Sequence, residues 1–122
     1  MPQILPFHHF GAMLLITILG LTGLIGMQHD MNKKTLPAWI IYLYYASIVF
    51  LAFDILSGAY LLTMSKKQQL WHYIIGGLVA VGFVGFHLWY NAKKTGLRMF
   101  IGTWMLMLLA AVAYMLGLNG RG

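Results

Sequence analysis

Cysteine is absent from the 122 residues, which removes disulfides, thiolate metal ligands, thiol catalysis and covalent C-x-x-C-H haem attachment together. Charge is nearly absent as well. Charged residues make up 8% of the chain, against about 25% in an ordinary soluble domain. Acids are scarcest, with Asp30 and Asp54 the only two. Neither a paired-carboxylate site nor a Ser–His–Asp set can be assembled from them. Phosphate-cradling glycine loops are missing too, because the glycines fall inside apolar runs.

What remains is 61% hydrophobic and arranged in four long runs. Each is long enough to cross a bilayer, since about 20 residues suffice. The expected fold is all-α: an integral membrane protein forming a four-transmembrane-helix up-down bundle in one domain over 1–122. The spans are expected at about 7–28, 37–64, 70–91 and 97–118. Pro6 helps to start the first. Thr35 is an expected N-cap for the second, with Pro37 in its first turn. The N-terminal stretch has no positive n-region and no small-residue cleavage site after it, so the first span reads as retained. Trp39, Tyr42, Tyr44 and Tyr45 read as an interfacial belt, as do Tyr60, Trp71, Trp89, Tyr90 and Trp104.

The net charge of +6 comes from short basic clusters at span ends. Lipid headgroups and topology explain such clusters better than nucleic acid does. Lys33, Lys34, Lys93, Lys94 and Arg98 share one membrane face, and Lys66, Lys67 and Arg121 the other. The positive-inside rule therefore favours both termini outside, in the plasma (inner) membrane of a prokaryote. The halves also resemble each other weakly. Each has a histidine, an apolar span, a second histidine, and then Asn32-Lys33-Lys34-Thr35-Leu36 or Asn91-Ala92-Lys93-Lys94-Thr95-Gly96-Leu97.

Histidine carries the functional signal. All five histidines lie on or beside spans one and three: His8, His9 and His29 with the first, His72 and His87 with the third. Imidazole is costly in hydrocarbon and faces protein, cavity or ligand by default. His72 and His87 are about 22 Å apart along the helix and about 60° apart around it. In an up-down bundle His72 meets His8 or His9 near one surface, and His87 meets His29 near the other. Facing imidazoles are what an axially ligated haem requires, so one or two non-covalent haem b groups are expected. Gly11, Gly26, Gly76, Gly82 and Gly85 are near enough to let a porphyrin lie against backbone. His8 and His29 are about 31 Å apart, which matches the 22 Å of the partner helix poorly. The pair through His29 is therefore the weaker one.

The leading expectation is a small b-type cytochrome or haem-binding membrane subunit for electron transfer, linked to quinone. A second reading is a non-catalytic accessory or assembly subunit of a larger membrane complex or homo-oligomer. There, glycine seams and Asp54 are docking features, and the histidines are interfacial rings. A third is a copper-handling membrane protein, because Met27-x-His29-x-Met31 combines thioethers with imidazole. Those three side chains converge only if the segment is extended. Asp54, the one acid inside a span, reads as a proton-handling, quinone-contacting or docking group.

Overall fold

The computed structural model describes residues 4–64 and 70–119. The second loop, with Lys66 and Lys67, and the tail, with Arg121, lie outside the described residues. Four helices account for nearly all of the rest: α1 (Ile4–Met31), α2 (Ile40–Met64), α3 (Leu70–Ala92) and α4 (Gly96–Asn119). All four are long and apolar enough to cross a membrane. Neighbours run antiparallel, as cross-helix contacts show. His8 at the start of α1 reaches Ser57 late in α2. His72 at the start of α3 reaches Ala113 late in α4. Close packing joins α1 to α4, α1 to α2, and α3 to α4. α2 and α3 pack less closely and meet at Tyr44, against Phe83, Phe86 and His87.

Glycine sets how the central pair packs. In lipid there is no hydrophobic drive between helices, so close approach of small residues takes its place. Gly20, Gly23 and Gly26 of α1 face α4. Trp104 lies over Gly23, and its indole N–H donates to the Gly20 carbonyl at 3.2 Å. Trp104 is thus a helix-packing residue and not part of an interfacial belt. Gly26 lies against the Gly96 carbonyl and Met99. By contrast, nothing lies within 4 Å of where a side chain would start at Gly76, Gly77 or Gly85.

The hydroxyls inside the spans are satisfied within their own helices, as hydrocarbon demands. Thr22 donates to the Ile18 carbonyl at 2.7 Å, Ser47 to Tyr44 at 2.6 Å and Thr103 to Met99 at 2.6 Å. Asp54 is different. Its Oδ1 is buried without a hydrogen-bond partner, the one such side-chain atom among the described residues.

Three sequence expectations need correction at the ends of helices. α2 begins at Ile40, so Pro37 precedes the helix and Thr35 is not its N-cap. The N–H groups of Ile40, Ile41 and Tyr42 bond only three residues back, to Pro37, Ala38 and Trp39, which makes a tight turn before the helix proper. Tyr44 is buried between α2 and α3, where it packs on Phe83 and Phe86, so it does not belong to the belt. Tyr90 is likewise buried, stacked on Phe86, while Tyr42, Tyr45, Tyr60, Trp71 and Trp89 remain exposed. α1 continues through Met31, so Met27, His29 and Met31 lie on a helix. Met27 and Met31, one turn apart, share a face, but His29 is turned about 160° away from both, and the extended geometry that copper binding needs is not formed.

Candidate functional site

One end of the bundle gathers polar groups from all four helices. His8 and His9 come from the first turns of α1, His72 from the first turn of α3, Asp54 and Ser57 from the later part of α2, and Tyr114 from the later part of α4. The up-down topology alone brings these positions to one membrane face. The His8 and His72 rings lie 6.2 Å apart between centroids, with their planes 83° apart. His9 is 6.2 Å from His8 and meets Tyr114 edge-on at 5.6 Å.

Each of the two facing imidazoles is seated in the same way. His72 Nδ1 is 2.6 Å from the Ala113 carbonyl. A carbonyl only accepts, so Nδ1 carries the proton and donates it, and Nε2 keeps a free lone pair. Access to that carbonyl depends on Gly117 one turn later. A side chain there would start 2.9 Å from His72 Cε1 and 3.0 Å from Nδ1. His8 Nδ1 is 2.7 Å from Ser57 Oγ. The Ser57 oxygen can accept from His8 Nδ1–H while its own proton reaches the Asp54 carbonyl at 3.3 Å, and in that tautomer His8 Nε2 keeps its lone pair. Gly58 provides the seat, because a side chain there would start 3.2 Å from His8 Cε1. Fixing Nδ1–H so that Nε2 can ligate is how proteins orient metal-binding histidines.

Asp54 stands one helical turn before this seat. Its unpartnered Oδ1 rests against Gly11, where a side chain on α1 would displace it. The glycine therefore admits the carboxylate between α1 and α2. Beside it, an apolar groove of about 230 Å³ lined by Phe7, Phe10, Phe50 and Phe53 opens between the two helices, with Gly11 in its wall.

The other expected pair is not assembled. His29 and His87 share the opposite end of the bundle, but no described contact joins them. His29 Nδ1 donates to the Ile25 carbonyl of its own helix at 2.9 Å. His87 is exposed, and both its nitrogens are engaged. Asn91 Nδ2 lies 3.0 Å from Nε2, and Tyr44 Oη lies 3.3 Å from Nδ1. The glycines expected to cradle a porphyrin also serve other ends. Gly11, Gly26 and Gly82 are filled by Asp54, Met99 and Leu106 respectively.

Sequence reasoning missed Ala113 and Gly117 because a backbone carbonyl has no sequence signature. Ser57 and Gly58 were visible as polar and small positions one turn beyond Asp54, but nothing in the sequence tied them to His8. Among the described residues, no group of three or more His, Asp or Glu side chains could hold a metal ion by itself. Two free imidazole nitrogens suit an iron whose other donors come from a porphyrin. No protein-family model matches the chain, and no curated protein or solved structure shows significant similarity to it.

Proposed function

We propose that this chain is a small b-type haem subunit that carries electrons in a membrane, with one haem near one face between His8 and His72. The observation that supports it most is the paired seating of these two rings. They come from different helices, are held through Nδ1, and present Nε2. His8 and His72, with ring centroids 6.2 Å apart, are the residues that would hold the haem iron. The haem would supply one-electron redox chemistry. The protein would fix the ligand tautomers and keep the rings in place.

A single haem fits better than two, because His87 has no free nitrogen and His29 faces no second imidazole. His29→Ala and His87→Ala, singly or together, are expected to leave haem content unchanged in the purified protein. Loss of haem in either variant would move the site to the other membrane face.

Quinone is the electron partner we favour. The phenylalanine groove suits an isoprenoid or a flat ring, and Asp54 stands beside its wall as a group able to handle a proton. The test is an optical spectrum of detergent-purified protein expressed with ample haem. A Soret band, with α and β bands that sharpen on dithionite and on a short-chain quinol, is the expected result. Reduction by dithionite but not by quinol would remove the quinone and keep the haem. A colourless protein would favour an accessory or assembly subunit, for which the lipid-facing surface of α3 around Gly77 and Gly85 offers a close-approach seam.

A further inference from the structure

The face opposite the histidine site is strongly basic, and its arrangement is more specific than a scatter of lysines. Lys33 and Lys34 leave α1 through a Schellman-type ending. Lys34 N–H reaches the His29 carbonyl at 2.8 Å, Lys33 N–H reaches Asp30 at 3.0 Å, and Lys33 takes φ 56°. Lys93 and Lys94 occupy the turn between α3 and α4. The close contact of Gly26 with Gly96 brings these two loops together, with Asp30 beside Gly96. This face thus carries five cations, counting Arg98, and one acid, Asp30.

Arg98 is the fixed point of the group. Its Nη1 donates to the Trp89 carbonyl at 2.6 Å, and its guanidinium carbon lies 4.8 Å from the centre of the Trp89 ring. Thr95 caps α4 by accepting the Arg98 backbone N–H at 3.2 Å, which sets where the side chain leaves the helix. The guanidinium has five N–H donors in a rigid fork, and Trp89 takes one through its carbonyl. The remaining donors stay open at the level of an exposed interfacial tryptophan, where lipid headgroups lie.

We infer that Arg98, backed by Lys93, Lys94, Lys33 and Lys34, binds the phosphate of an anionic phospholipid headgroup. A guanidinium fork suits a phosphate in two-point contact, and the surrounding excess of positive charge selects a headgroup with net negative charge over a zwitterionic one. This site is independent of the haem and lies at the other membrane surface.

The experiment uses full-length protein in mild detergent, stripped of lipid and then offered equimolar phosphatidylglycerol and phosphatidylcholine. Retained lipid per chain is read by native mass spectrometry. Wild type is expected to prefer phosphatidylglycerol by about tenfold. Arg98→Gln is expected to bring retention of the two lipids to within about twofold, and Arg98→Lys to fall between, because it keeps the charge and loses the fork. Equal retention by wild type would overturn the inference. So would an Arg98→Gln protein of native helicity that keeps the full preference. If Arg98→Gln does not fold, Arg98→Lys decides, and an unchanged preference there overturns the inference.

Discussion

Replacing His72 with alanine is expected to lower haem content by at least about tenfold, while the protein still inserts and purifies as a helical bundle. The reason is geometric. His72 is the α3 ring that faces His8, and its Nε2 is free because Ala113 holds Nδ1. His87 cannot substitute, since it lies near the other end of α3 with both nitrogens engaged. Gly117→Ala tests the same seat without touching the ligand. Its methyl would start 2.9 Å from the His72 ring and crowd the approach to the Ala113 carbonyl. Haem occupancy or midpoint potential is expected to change in that variant, with the low-spin spectrum kept in whatever fraction binds. A His72→Ala protein with full haem, read by optical titration, would show that the iron is held elsewhere.

Gly26→Val is expected to cause a large loss of stability in the α1–α4 seam. A β-carbon at position 26 would stand 2.9 Å from the Gly96 carbonyl and 3.1 Å from Met99 Cβ. The first of these is backbone and cannot turn aside, so the helices must separate. Overpacking costs about 1–3 kcal/mol in well-packed interiors, and a β-branched residue against backbone belongs at the upper end. Gly77→Ala is the matched control. Nothing lies within 4 Å of that position, so only backbone entropy changes, and stability should stay level or rise by about 0.5–1 kcal/mol. Thermal or denaturant unfolding in detergent, followed by circular dichroism, separates the two. Equal stability for both variants would mean that the α1–α4 seam is not the closest contact of the bundle.

The fold was legible because its cause is composition. Four apolar runs with short polar breaks leave few alternatives once backbone polar groups must be satisfied inside a bilayer. The start of α2 was less legible. Pro37 and Thr35 look like a helix entry, but the chain first makes a turn and enters the helix at Ile40. The candidate site was half legible. Histidine is rare enough inside spans that His8, His9 and His72 stood out, and topology carried them to one face. His29 and His87 are not brought together, because local partners take their rings. His29 turns back to its own helix at Ile25, and His87 is taken by Tyr44 and Asn91. Such rivals are one turn or one helix away, and no spacing rule exposes them. Tyr44 shows the same limit, because an aromatic near a span end reads as an interface anchor until a neighbouring helix buries it.

The most direct test is the ratio of haem to polypeptide in wild-type protein purified after haem-replete expression, measured by pyridine haemochrome against quantitative amino-acid analysis. One haem per chain is the expected value. A value of two would restore the pair at His29 and His87, against their geometry here. A value of zero would contradict the haem assignment at His8 and His72 and leave the bundle as a subunit whose role lies in its partners.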